Sequence, residues 1–337
     1  MLALDDHWTW DFWFAADGPD IHLFFLKAPR ALGDPDLRHR NARIGHAVSQ
    51  DLRTWTVLPD ALGPGSAGAW DDLATWTGSV LRVEGGWWMY YTGICNGDDG
   101  LRQRIGRAYS TDLTTWAKDD AFILEADPAY FEQLDLSVWP DLCWRDPCVF
   151  ADPDGGYAML VTARVPDGPP DGRGVVALLR SENLTDWSPI GPITDPGDFG
   201  HLEVPQVVHL QGRYYLLFCA YAAANSADRL TRIGPSTGTH YYVGDTPTGP
   251  FKPLSDHLFA ADAAASLYAG KIVDDPLTGR PAFIAFHHNA PAGQFIGNLS
   301  DPIPLAVLPN GELRLDVPGR QVGDSRLQTK ARYVDGL

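Results

Sequence analysis

Apolar residues in this 337-residue chain fall in short runs rich in β-branched and aromatic side chains, each introduced by a turn of Gly, Asp or Pro. Five runs stand out: HLFFLKA from His22, WWMYYTGI from Trp87, GYAMLVTARV from Gly156, RYYLLFCAYA from Arg213 and PAFIAFHHNA from Pro281. The turns before them read ADGPD, VEGG, DPDGG, LQGR and DPLTGR. Before each turn stands a shorter strand-like segment: DFWFA, GSVLRV, PCVFA, PQVVHL and LYAGKIV. No stretch of ten or more residues carries the 3.6-residue spacing of an amphipathic helix.

A phrase also recurs: IGHAVSQDLRTW ending at Trp55, IGRAYSTDLTTW ending at Trp116 and VVALLRSENLTDW ending at Trp187, with a looser copy closing at Phe251. Alternating small and apolar residues lead into a Ser-x-Asp-Leu or Ser-x-Asn-Leu turn, then an aromatic residue. That is a strand, an Asx-type turn and the start of another strand. The unit is therefore four strands, repeated five times at intervals above 60 residues. A β-sandwich rarely repeats one phrase at such a period, and solenoid repeats are shorter. The expected fold is all-β, a five-bladed β-propeller in a single domain over 1–337. Its blades are expected at roughly 8–62, 70–124, 140–193, 200–258 and 262–320. Within the last, LAVLPNGELRLD reads as a hairpin turning at Asn310-Gly311.

Composition adds exclusions. The formal net charge of −17 argues against nucleic acid or an anionic membrane surface as partner, since phosphate binding needs clustered Lys and Arg. No apolar run approaches the length of a spanning helix, and MLALDDHWTW lacks the basic and apolar regions of a signal peptide, so a cytoplasmic location is expected. Cys95, Cys143, Cys148 and Cys219 form no C-x-x-C pair and read as buried free thiols. No metal site or cofactor is called for by any motif. The oligomeric state is not legible.

The chemistry lies where the repeat is compared with itself. At the start of each innermost strand stand Trp10-Asp11-Phe12-Trp13, Trp76-Thr77-Gly78-Ser79, Trp144-Arg145-Asp146-Pro147, Leu202-Glu203-Val204-Pro205 and Ala265-Ser266-Leu267-Tyr268. Three blades thus place an acid at one rim, although a carboxylate in an apolar strand is costly unless paired. Convergent carboxylates suit glycosidic chemistry, where one group attacks or activates water and another protonates the leaving oxygen. Crowding is expected to raise at least one pKa toward neutrality. Trp10, Trp13, Trp76 and Trp144 offer flat walls for a sugar face, or ordinary inter-blade packing. His287, His288 and His201 are candidates for a hydroxyl contact.

These residues resemble those of the five-bladed glycoside hydrolases of the invertase, levanase and levansucrase group (families 32 and 68), and more distantly family 43. The likeness covers roughly the first 290 residues. Arg145-Asp146-Pro147 is its most specific piece, and implies that Asp146 holds sugar hydroxyls and stabilises the transition state with Arg145 beside it. Trp76-Thr77-Gly78-Ser79 is similar to the motif lining the fructosyl pocket. Trp10-Asp11-Phe12-Trp13 resembles the levansucrase Trp-Asp-Ser-Trp and implies Asp11 as nucleophile. Glu203-Val204-Pro205 resembles the motif of the general acid/base. The invertase Asn-Asp-Pro-Asn-Gly is missing, with Asp17-Gly18 a faint echo, and no C-terminal β-sandwich of the family 32 kind is expected.

The resemblance implies a retaining double displacement on a fructofuranosyl linkage of a small oligosaccharide or glycoside, with water or an acceptor sugar completing the turnover. Catalytic residues would be Asp11, Asp146 and Glu203. Substrate-binding residues would be Trp10, Trp13, Trp76, Thr77, Ser79, Arg145, Trp144 and His287. An inverting glycosidase of the arabinofuranosidase or xylosidase type and a non-catalytic sugar-binding propeller are the rival expectations.

Overall fold

The computed structural model describes residues 1–256, 258–316 and 332–333. Its strands form five antiparallel sheets, covering 7–62, 74–118, 145–192, 203–262 and 267–315, the fourth joined by Arg332–Tyr333. The innermost strands are His7–Asp17, Ala74–Val83, Arg145–Ala151, Glu203–Leu210 and Leu267–Asp275. Each of the five packs against the next, and the fifth against the first, which closes the ring of a five-bladed β-propeller.

The middle strands are the apolar runs seen in the sequence. Tyr157–Arg164, for example, is buried at every position after the first, because neighbouring blades cover both of its faces. The recurring turns fold as their chemistry dictates. Ser49 Oγ accepts from Leu52 N at 2.9 Å, and Asp51 Oδ1 accepts from Arg53 N and Thr54 N at 2.7 and 2.6 Å. Ser110–Asp112 and Ser181–Asn183 repeat the arrangement. Blades one and five are tied together by the Arg53–Asp275 ion pair at 2.9 Å and by Arg30 Nη2 donating to Ile296 O at 3.0 Å.

Blade bounds differ modestly from those expected. Ala260–Asp262 pairs with Thr237–Gly244 and so belongs to blade four, a strand of three residues too short to show a β pattern. The expected hairpin forms between Ile303–Val307 and Leu313–Leu315. The stretch 317–320, assigned to blade five from sequence, lies outside the described residues. Among the described residues no helix is long and apolar enough to cross a membrane; the one α-helix is Ala227–Arg232, capped by Ser226 Oγ.

Candidate active site

All five innermost blade edges share one irregularity. The register slips between Trp10 and Phe12, between Trp76 and Gly78, opposite Leu160–Thr162 in the strand holding Asp146, between Glu203 and Gln206, and between Tyr268 and Lys271. A β-bulge bends the strand and re-aims the extra side chain. Three bulges place a residue in the left-handed region: Asp146 (φ 61°), Val204 (φ 54°) and Ala269 (φ 49°). In blade two the close approach demands glycine, since a Cβ on Gly78 would collide with the Tyr90 carbonyl oxygen.

The bulges deliver Asp11, Thr77, Asp146, Glu203 and Tyr268 to one cavity of about 270 Å³. Asp11 Oδ2 accepts from Thr77 Oγ1 at 2.7 Å. Asp146 Oδ2 accepts from Thr162 Oγ1 at 3.1 Å and Val204 N at 3.0 Å, while its own N–H donates to Thr92 Oγ1 at 2.9 Å. Glu203 is held harder: Oε1 accepts from Arg145 Nη2 at 2.8 Å, Oε2 accepts from the Tyr268 hydroxyl, and His201 Nε2 lies 3.5 Å from Oε2. Arg145 also donates through Nη1 to Gln103 Oε1 at 2.9 Å. Its guanidinium is therefore occupied by protein groups, and its contact with Asp146 is a longer 3.8 Å. Arg145 lines the cavity mainly as the clamp on Glu203.

These surroundings split the carboxylates. Burial, then the charge of Asp146, pushes Asp11 up to about 7, with Thr77 opposing. Burial raises Asp146 to about 6 against the pull of Arg145. Burial also opposes ionisation of Glu203, but His201, Arg145 and Tyr268 outweigh it and hold that carboxyl down at about 2. Burial drives His201 below its ordinary range, so the imidazole is neutral near pH 7 and its part of that pull is absent there. At least one pKa raised toward neutrality was expected from crowding. The raised groups are Asp11 and Asp146, because the donors converge on Glu203 instead.

Of the residues singled out from sequence, Trp10, Asp11, Trp76, Thr77, Arg145, Asp146, His201 and Glu203 line this cavity. Trp13, Ser79, Trp144 and His287 do not, which corrects the expectation that they bind substrate. Trp13, two residues past the bulged Asp11, is a core residue stacked on Phe24 at 6.1 Å. Trp144 is wholly buried against Phe131, with Nε1 donating to Leu124 O at 3.2 Å. Ser79 Oγ accepts from Val149 N at 3.0 Å, bridging blades two and three. His287 points away because strand residues alternate; its neighbour His288 faces a second, outer cleft instead.

The sequence reading missed His39, Trp139, Asp141 and Tyr221, which complete the wall. His39, Trp139 and Asp141 sit on segments outside the repeated strands, so comparing blades could not reveal them; Tyr221 lies near the end of the fourth apolar run, just past its strand Arg213–Ala220. Trp139 is fixed by the Arg164 guanidinium 3.8 Å over its ring. Tyr221 stacks on Tyr268 at 4.5 Å, and His39 meets Trp10 and Trp76 edge-on at 6.1 and 6.2 Å. Among the described residues no group of three His, Cys, Asp or Glu is placed to hold a metal ion.

A five-bladed propeller with acids from three blades facing one central cavity has the form of a glycosidase. The chain belongs to glycosyl hydrolase family 32: the family's N-terminal domain matches residues 19–294. It acts on fructofuranosyl linkages. The match begins downstream of Asp11, whose position rests on the structure. The extracellular sucrase of Zymomonas mobilis subsp. mobilis is 25% identical, over 95% of this chain and 85% of that protein. Sucrose-6-phosphate hydrolase of Bacillus subtilis is 29% identical over 75% of this chain, which spans 49% of that longer protein. In fold, the inulosucrase from Halalkalicoccus jeotgali bound to kestose superposes with a TM-score of 0.74 at 21% identity, covering 96% of this chain and 94% of that one.

Proposed function

We propose that the chain releases fructose from sucrose or a short fructoside by a retaining double displacement. Asp11 attacks the anomeric carbon, Glu203 protonates the departing oxygen, and water or an acceptor sugar, activated by the same Glu203, releases the fructosyl group. Asp146 accepts ring hydroxyls, its strand held rigid by Thr92, Thr162 and Val204. The observation that carries this reading is the meeting of Asp11, Asp146 and Glu203, from three blades, around one cavity. The sucrase and sucrose-6-phosphate hydrolase relatives support the fructosyl assignment.

The test is fructose release from sucrose and short fructans by the wild type, Asp11→Ala and Glu203→Gln, with the first-formed anomer followed by NMR. Losses of at least about 1,000-fold in kcat are expected in both variants, given how strongly nucleophiles and general acids contribute. Retention should appear as β-fructofuranose. An initially inverted product would assign Asp11 the role of a base instead. Arabinose or xylose release without fructose release would overturn the fructosyl assignment.

A further inference from the structure

Glu203, His39 and Tyr221 line two hollows at once: the inner cavity and an outer cleft of about 650 Å³. Asp11 and Asp146 line only the inner one. In a double displacement the nucleophile and the acid flank the scissile bond, so the group on the far side of Glu203 from Asp11 is the leaving group. The outer cleft is thus where the leaving sugar would lie.

The wall of that cleft carries an incompletely paired arginine. Arg38 sits in the 3-10 segment Pro35–Asn41 and is 4% exposed. Its guanidinium lies over Phe295 at 4.2 Å, with Trp10 at 5.8 Å. Among the described residues its hydrogen bonds leave from Nη1 alone, to Pro35 O at 2.9 Å and, at 3.5 Å, to Asp36, whose side chain is 91% exposed. Nε is buried with no partner, and so is Nδ1 of His288, which lines the same cleft. A buried N–H left unpaired is costly, and natural structures retain one chiefly where something else completes it.

We propose that Arg38 is a specificity-determining residue that takes two neighbouring hydroxyls of a neutral leaving-group sugar on its free guanidinium edge. The proposal rests on the fructosidase reading. A planar fork held against an aromatic ring presents paired donors at the spacing of two adjacent oxygens, which a lysine cannot reproduce. A neutral sugar is favoured over a phosphorylated one because Glu203 and Asp36 border the same cleft and the chain carries a net charge of −17.

The experiment compares kcat/KM for sucrose with kcat/KM for methyl β-D-fructofuranoside, whose methyl group is too small to reach Arg38. The full-length wild type, Arg38→Gln and Arg38→Lys are measured side by side. The sucrose-to-methyl-fructoside ratio should fall roughly 10- to 100-fold in both variants, the range that loss of charge-assisted hydrogen bonds supports. Continued turnover of the methyl fructoside certifies a folded site in the same preparation. Equal losses on both substrates, or a ratio restored by lysine, would overturn the assignment. So would a wild-type preference for sucrose 6-phosphate that Arg38→Gln abolishes. A wild type that releases fructose from neither substrate would overturn the fructosidase reading, and this inference with it.

Discussion

Thr77→Val isolates one hydrogen bond in the active site. Valine keeps the shape of the side chain but removes the hydroxyl that donates to Asp11 Oδ2 at 2.7 Å. That bond favours the ionised carboxylate and works against the burial that raises Asp11. A hydrogen bond to a charged group contributes about 1.5–3 kcal/mol, so its loss should lift the Asp11 pKa by roughly one to two units. The reactive form has Asp11 ionised and Glu203 protonated. With Asp11 pushed up to about 7 and Glu203 held below its ordinary value by Arg145 and Tyr268, the resting proton lies on the wrong carboxylate. Between the two pKa values the reactive form is a fixed minor share of the singly protonated pair; above the upper one it declines as the shared proton is lost.

Raising Asp11 therefore has two linked effects on kcat/KM, which reports the free enzyme. The plateau near roughly pH 4–6 should fall about 10- to 100-fold, and the basic limb should move from about 7 upward by the logarithm of the same factor. At alkaline pH the wild-type and variant profiles should converge, because Asp11 is ionised in both and the reactive share then depends on Glu203 alone. Initial rates of fructose release from sucrose across the pH range provide the assay. A uniform loss at every pH, with the limb unmoved, would refute the coupling between Thr77 and the Asp11 proton.

Two further expectations concern stability. Asp11 is raised from 3.8 to about 7, so the folded chain keeps a proton that the unfolded chain releases, and stability falls as pH climbs from 3.8 to about 7. Asp11→Asn escapes that loss: its unfolding free energy should exceed the wild type's at pH ~8 by a few kcal/mol at most, and match it near pH ~4; calorimetry showing equal differences at both would contradict this. Lys118 donates to Asp71, which is 2% exposed, and to Gly63 O at 2.7 Å, while the Tyr91 hydroxyl donates to Asp71 Oδ2 at 2.9 Å. Lys118→Met strands a buried carboxylate and should cost about 3–5 kcal/mol in urea unfolding, with Asp71→Asn in the same chain recovering part of it; a loss below ~1 kcal/mol would overturn this expectation.

Strand order and blade number were legible because the repeat is written in local chemistry. The Ser-x-Asp-Leu turns need those side chains to cap their own backbone, and the middle strands need continuous apolar runs because blades cover both faces. The acids could be aligned for the same reason, each standing at the start of an innermost strand. Alignment could not show which neighbours turn with them. Trp13 and Ser79 lie two residues beyond the bulged positions Asp11 and Thr77, where regular alternation predicts the same face, but the bulge puts the strand out of phase. Trp139 and His39 come from connecting segments with no counterpart in other blades, so no repeat points to them.

The bulge in blade four shows how local strain serves the site. Val204 is β-branched yet adopts φ 54°, a conformation that costs about 1–3 kcal/mol. The return is positional. Its N–H donates to Asp146 Oδ2 at 3.0 Å, while Glu203, one residue before it, reaches Arg145, the residue before Asp146. Blades three and four are thus cross-linked twice through the very residues proposed to bind and protonate. An ordinary extended strand would alternate sides and could not offer the Glu203 side chain and the adjacent N–H to the start of one neighbouring strand. The acid/base and the hydroxyl-binding carboxylate are therefore held as one unit, while Asp11, tied to blade two by the single Thr77 hydroxyl, is the carboxylate free to change partners when it attacks.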